Sequence, residues 1–567
     1  MLMTVAARRI MWLIALSLSL AAVFQTQIST GFTVLTGDRL DGLIETSILE
    51  HWYNVFRGLA AWDTTNYFAP HRGTLAYNDG YMLYGVWHSL FRSFGIDAFL
   101  SAELVNVVFR IVGFVAAYAL SWQVLRLGSN WSLLAAVLFT ITSSTFQQSY
   151  HAQLLSVALV PLNVWLMVRT AESLIANRRM AALAWGVTAA LLYAAWLLTA
   201  FYMAWFLAFY ALICLLVLPL TNGIDTCCQG LLVMRRQMPI LLLILAVLVV
   251  GVTPFLHLYL PRAAETGMHG FAGVSVFLGT PAGILNTGPH NLMFGGFMQW
   301  LAAAYPDMFP AGEHLVGISP ILLSCFVVSA VWCWRHTPAL RAPIAAIVIF
   351  WLLTIKVGDV SPWTLIYQVF PGAKAVRVVV RSYIFLAGPI TAITLVGLSG
   401  MFRGRAWAPQ MGLCLLLVIE QLSTAPVAGL DRAEEQRRLA ALPTPPAECR
   451  TFAAMVAREG NLASNSEILS LYSHNVDAML IAELTNIPTI NGFSTFNPPD
   501  WNFNNAWRSD YPSRVEAYAN QHRIEGLCGL DLDKLRWDLR PKSNPVVPLT
   551  PLTQITGVSS PTDFEGW

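Results

Sequence analysis

Three carboxylates stand close together in Gly37-Asp38-Arg39-Leu40-Asp41-Gly42-Leu43-Ile44-Glu45. A helix beginning near Asp41 puts Asp41 and Glu45 on one face at i, i+4, with Asp38 on the turn before it. Such a group can supply a general base that takes a proton from an acceptor hydroxyl. A neighbouring acid then tunes its pKa or holds a metal. Acids at a helix N-terminus are also favoured by the macrodipole alone, which accounts for one or two of them. Further along, His71 and Arg72 in Asn66-Tyr67-Phe68-Ala69-Pro70-His71-Arg72 are of types that meet a phosphate or a sugar, or that sit among interfacial aromatics. Asp79-Gly80 reads as a turn. His151 and Gln153 fall in a short hairpin, where polar side chains line a cavity or simply hydrogen-bond locally. Lys374, Arg377 and Arg381 are spaced i, i+3, i+7. On one helix face, arginine forks suit phosphate oxygens, with snorkelling to lipid headgroups as the plainer use.

The elements that position these residues belong in lipid. The 567-residue chain is 56 % hydrophobic and only 12 % charged, with mean hydropathy +0.57. A soluble fold carries roughly 25 % charged residues. Apolar runs long enough to cross a bilayer as helices fall at 10–28, 98–125, 131–147, 153–170, 181–198, 200–219, 239–258, 315–334, 343–357, 382–400 and 409–427. Alternate connections hold Arg8 and Arg9, Arg126, Arg169 with Arg178 and Arg179, Arg235 with Arg236, Arg335 with Arg341, and Arg403 with Arg405. Cytoplasmic loops carry that excess, so the N-terminus is expected inside and the C-terminal region outside the cytoplasmic membrane. The first run is too long for a signal peptide's apolar region and lacks a clear cleavage site, so it reads as a retained span. Glu103, Arg110 and Glu420 lie within spans and are functional candidates by that position. No basic arm points to nucleic acid.

The expected fold is an all-α polytopic membrane bundle of about 11 transmembrane helices with a small C-terminal extracytoplasmic α/β domain. Residues 1–428 form the transmembrane part, with a large first outer loop at 29–97, and 429–567 the soluble tail. In the first loop, Leu43, Ile44, Ile48, Leu49, Trp52, Val55, Phe56 and Leu59 predict a helix lying in the interface with its apolar side toward lipid. Two more outward stretches, 259–314 and 358–381, are rich in Gly and Pro. In the tail, 466–472 and 486–490 read as strands and 475–485 as a helix. Cys449 and Cys528 are the tail's two cysteines, and an oxidising location lets them form its one possible disulfide. Adjacent Cys227 and Cys228 lack metal-site partners.

In order along residues 10–427, several motifs resemble the GT-C glycosyltransferase superfamily, in the broad bacterial group that includes YfhO-like membrane proteins. They are Gly37-Asp38 with Asp41, then Glu50-His51-Trp52-Tyr53, Phe68-Ala69-Pro70 and Tyr77-Asn78-Asp79. His151-Ala152-Gln153-Leu154-Leu155, Leu159-Val160-Pro161-Leu162 and Pro371 with Arg377 and Arg381 follow, and Pro488-Thr489-Ile490-Asn491-Gly492-Phe493 in the tail looks like the same group. The resemblance implies an inverting transfer of sugar from a polyprenyl-phosphate donor to a glycan, lipid or protein acceptor at the outer face. Asp38 is then the first choice of base, Asp41 the second, and Glu45 supports them. Arg377 and Arg381 hold the donor phosphate, and His151 and Gln153 line the sugar pocket. The acidic stretch shows no clear Asp-x-Asp, since two residues separate Asp38 from Asp41. That favours a metal-independent enzyme over one using a divalent ion. A flippase for lipid-linked sugars and a non-catalytic assembly protein with the same fold are the alternatives. The absence of internal repeats speaks against the flippase.

Overall fold

The structure is a computed structural model that describes residues 5–423, 429–456, 458 and 467–539. Among the described residues, seven helices are long and apolar enough to cross a membrane: Ala6–Val23, Ala98–Val124, Ala152–Ile175, Arg179–Leu197, Phe201–Asn222, Met238–Thr266 and Val379–Met401. Four shorter apolar helices, Ser129–Thr140, Pro320–His336, Pro338–Thr354 and Trp407–Ile419, occupy the remaining predicted segments. Each of the eleven apolar runs therefore carries a helix within the described residues, and seven reach spanning length by themselves; 424–427 of the last run lie outside the described residues. The short ones have local causes. The run predicted at 131–147 breaks after Thr140 and resumes as Ser143–Gln147. The run predicted from 315 begins instead at Pro320, where proline's fixed φ suits a first helical position.

Burial separates two kinds of helix. Met238–Thr266 is apolar all round yet leaves Leu242, Leu243, Val249 and Val250 exposed, which suits a helix whose solvent is lipid. Val379–Met401 lies at the centre, with Tyr383, Phe385, Leu386 and Leu395 almost wholly covered.

The first loop is built differently from its sequence pattern. Its helix, Asp41–Phe56, exists as periodicity predicts. Its apolar side faces protein and not lipid, however: Leu43, Ile48, Leu49 and Trp52 are buried against the helices Met82–Ser93 and Glu467–Thr485. The exposed large apolar residues here are Phe56 and Leu59 beyond that face, Val86, Trp87 and Leu90 on the second helix, and Phe94 just after it.

The tail is not laid out as its sequence pattern suggests. Residues 467–472, expected as a strand, belong to the helix Glu467–Thr485, and 466 lies outside the described residues. Residues 486–490 form no strand; Thr489 makes a single bridge to Phe452. The sheet uses β3 (Thr451–Val456), β4 (Leu527–Asp531) and β5 (Arg536–Leu539), with β3 parallel to β4 and β4 antiparallel to β5. Cys449 and Cys528 are disulfide-bonded, with their Cα atoms 5.6 Å apart. Two further strands, β1 (Val34–Thr36) and β2 (Gly429–Asp431), pair antiparallel and tie the start of the tail to the start of the first loop. Val476, Met479 and Leu480 of the tail helix share one apolar core with the first loop and the spans.

Candidate active site

The turn before the first-loop helix orders the carboxylates. Asp38 Oδ1 accepts hydrogen bonds from the backbone N–H of Leu40, at 2.9 Å, and of Gly42, at 3.1 Å. It thereby satisfies donors that a helix N-terminus leaves open. Burial raises the Asp38 pKa; the Gly42 N–H opposes this and the Asp41 charge adds to it.

One turn on, Glu45 Oε1 accepts from Ala152 N at 2.8 Å and lies 3.0 Å from the Tyr81 hydroxyl. That same hydroxyl is 3.1 Å from Gln153 Oε1. A phenol has one proton to donate. If Tyr81 gives it to Gln153, a protonated Glu45 can donate to the Tyr81 oxygen, and both contacts are satisfied. Burial, reinforced by the Asp41 charge, does hold the Glu45 carboxyl well above the ordinary carboxylate range.

Asp41 and Glu45 face the same turn as their spacing predicts. Asp41 Oδ2 is 3.5 Å from His151 Nδ1, and the other ring nitrogen of His151, Nε2, is 3.2 Å from Glu313 Oε1. Glu313 in turn accepts from Arg381 through both oxygens, Nε to Oε2 at 2.8 Å and Nη2 to Oε1 at 2.6 Å. Burial would raise the Glu313 pKa, but the Arg381 and His151 charges overcome it and hold the group well below its usual value. Four segments distant in sequence therefore meet in one line: Asp41, His151, Glu313, Arg381. Asp79 is half-buried nearby and accepts from Phe201 N at 3.2 Å; desolvation lifts its pKa to about 6 against the pull of that N–H and of Arg381.

The cations do not share a helix face. Residues 373–381 run as two short 3₁₀ turns joined by extended backbone. Lys374 sits exposed with its ammonium 5.6 Å from the Tyr367 ring centroid. The half-buried Arg377 guanidinium is 5.4 Å from the Phe277 ring centroid, and its backbone N–H donates to the Tyr202 hydroxyl at 2.8 Å. Arg381 is buried in the fork with Glu313.

His71 and Arg72 lie elsewhere. His71 Nε2 is 3.0 Å from Asp500 Oδ1 in the tail, and Arg72 is exposed, its carbonyl accepting from Arg262 Nη2 at 2.9 Å. The in-span acids serve the frame: Glu103 accepts from Thr36 N and Oγ1 at 2.8 and 2.9 Å, and Glu420 from Ile321 N and Leu322 N at 2.9 and 2.8 Å. Arg110 donates to Thr140 O and Thr145 Oγ1.

Sequence reasoning missed Glu313, Tyr81 and Asp79. Glu313 is one of three acids in the Gly- and Pro-rich stretch at 259–314, with Glu265 and Asp307, so nothing in the sequence singles it out, and Asp79 is more than a turn residue.

No protein-family model matches the chain, and comparison with curated proteins finds no match. Solved structures similar to it at low identity include the following three. ArnT from Cupriavidus metallidurans, bound to undecaprenyl phosphate, is 15 % identical with a TM-score of 0.40, over 83 % of this chain and 69 % of that one. The archaeal oligosaccharyltransferase AglB from Archaeoglobus fulgidus, in complex with an inhibitory peptide and a dolichol-phosphate, is 12 % identical with a TM-score of 0.44, over 92 % and 69 %. The mycobacterial arabinofuranosyltransferase AftD is 15 % identical with a TM-score of 0.49; 94 % of this chain is covered, but only 36 % of AftD.

Proposed function

We propose that the chain is a GT-C-type membrane glycosyltransferase that moves a sugar from a polyprenyl-phosphate donor to an acceptor hydroxyl, with inversion and without a catalytic metal. The reaction takes place at the outer face of the cytoplasmic membrane. The N-terminus is cytoplasmic and the tail, 429–567, is extracytoplasmic. One observation supports this above the rest: Asp41 of the first loop converges with His151, Glu313 and Arg381, and Tyr202 lies between Arg381 and the backbone of Arg377. An acid–base group next to a phosphate-compatible one is what the transfer needs.

In the reaction, the acceptor oxygen attacks the anomeric carbon as its proton passes to a carboxylate. The bond to the lipid phosphate breaks and the phosphate leaves as an anion. Asp38 is the favoured base, because its raised pKa strengthens it as a proton acceptor while Oδ1 alone is taken up by the turn. Asp41, which lies against His151, is the second choice. Glu45, whose carboxyl burial holds well above its usual range, positions the hairpin through Ala152 and Tyr81. His151 and Gln153 line the sugar site. Arg377 and Lys374 face the leaving phosphate, and Arg381 is held by Glu313, so it acts by supporting that wall.

The full chain, reconstituted in vesicles with polyprenyl-phosphate sugars labelled in the sugar, tests this. Asp38→Asn is expected to lower transfer about 10²–10⁴-fold. Transfer that persists undiminished in Asp38→Asn, Asp41→Asn and Glu45→Gln alike would remove the carboxylate-base reading.

A further inference from the structure

Outside the carboxylate site, two histidines converge on one carboxylate. Asp500 offers Oδ1 to His71 Nε2 at 3.0 Å and Oδ2 to His522 Nε2 at 2.6 Å. All three ligand atoms lie within 4.8 Å of one another. They come from three separate places: the first loop, the segment before the helix Tyr511–Gln521, and the residue that ends that helix. The rings are held in place by packing. His522 lies against Tyr518 with centroids 4.3 Å apart, and His71 meets His522 edge to face at 5.5 Å. The Tyr518 hydroxyl donates to Ala69 O at 3.2 Å, which anchors the backbone just before His71.

We infer that His71, Asp500 and His522 bind a divalent cation of the zinc type, which clips the tail to the first loop. Two imidazoles and a carboxylate are a borderline donor set that suits such an ion. Metal–ligand bonds of about 2.0–2.1 Å at a tetrahedral angle put ligand atoms about 3.3 Å apart. The present separations of 3.0 and 2.6 Å between nitrogen and oxygen need to open by about 0.3 and about 0.7 Å to reach it. The ion replaces the shared protons, and neutral histidine is the form that ligates. The site is partly open, so water completes the coordination. Hydrogen bonds alone would give the same side-chain placement, and metal content separates the two arrangements. This inference is independent of the sugar-transfer proposal, because none of its residues belongs to the Asp38 site.

The purified full chain in detergent is equilibrated with Zn²⁺, desalted, and its metal measured by mass spectrometry. About one equivalent is expected to be retained, and lost in Asp500→Asn and in His522→Gln. The unmodified protein loaded with Co²⁺ gives a readout that needs no variant. Visible d–d absorption without thiolate charge-transfer bands supports the site. Absence of bound Co²⁺, thiolate bands that assign the ion to Cys227 and Cys228, or wild-type zinc retention in both variants would each overturn it.

Discussion

Arg381 is gripped by both oxygens of Glu313, and its side chain is only 7 % exposed. Replacing Glu313 with Gln leaves that guanidinium without its counter-ion, and it removes one of the two carboxylates that His151 touches. Stranding one partner of a buried pair costs about 3–5 kcal/mol, whereas replacing both by apolar groups is often neutral. Glu313→Gln is therefore expected to lower the unfolding midpoint in detergent strongly, and Glu313→Gln with Arg381→Met to recover most of the loss. If the double variant is no better than the single one, the pair is not the source of the effect. A pairing of this kind is invisible at the residue scale in sequence. Asp41 and Glu45 can be matched by counting along a helix, but nothing at position 313 points to position 381.

At the scale of elements, the first-loop helix and the helix Met82–Ser93 pack through a glycine. A Cβ added at Gly85 would lie 2.3 Å from Trp52 Cγ, and Trp52 is itself held by an Nε1–H donated to Gly80 O at 2.6 Å. Gly85→Ala must push the two helices apart or turn the indole, and overpacking of this sort costs about 1–3 kcal/mol. It should also displace Glu45, so sugar transfer is expected to fall along with stability. Gly128→Ala, where an added Cβ meets nothing within 4 Å, serves as the control and should leave both unchanged. Thermal unfolding and transfer rates measured on the two variants check this. The periodicity of Leu43, Ile48 and Trp52 was enough to show a helix. It could not show what the apolar face meets, because lipid and protein select the same residues.

At the scale of the whole molecule, the tail docks on the first loop through a buried carboxyl. Glu483 accepts from Asn66 N at 2.8 Å, Asn54 Nδ2 at 3.0 Å and Asn66 Nδ2 at 3.1 Å. Burial pushes its pKa up to about 8 from an ordinary value of 4.5, against the pull of the Asn66 and Asn54 hydrogen bonds. Between those values the folded state keeps a proton that the unfolded state has released, so this contribution to stability falls as pH rises. His51 beside it runs the other way: burial lowers its pKa from 6.5 to about 4, so its contribution grows with pH over that interval. The Glu483 slope stands apart from that of His51 between about pH 6.5 and 8. In that window, wild-type stability is expected to drop with pH relative to Glu483→Gln. Parallel curves for the two proteins would show that Glu483 titrates normally.

By itself, the sequence determined the solvent and the helical elements. A charge-poor chain with long apolar runs cannot cover itself for water, and in lipid a helix satisfies its own backbone. The Asp38–Glu45 group was also legible there, since its members are neighbours on one turn of chain. Only the tertiary structure decided which charges meet: His151 with Asp41 and Glu313, Arg381 with Glu313, His71 with Asp500 and His522. It also decided that the tail helix, whose first turns read as a strand in sequence, shares the first loop's core. The physical reason is range. Helix formation and transfer to lipid are set by residues a few positions apart, whereas a buried charge takes its partner from whatever the packed chain brings beside it.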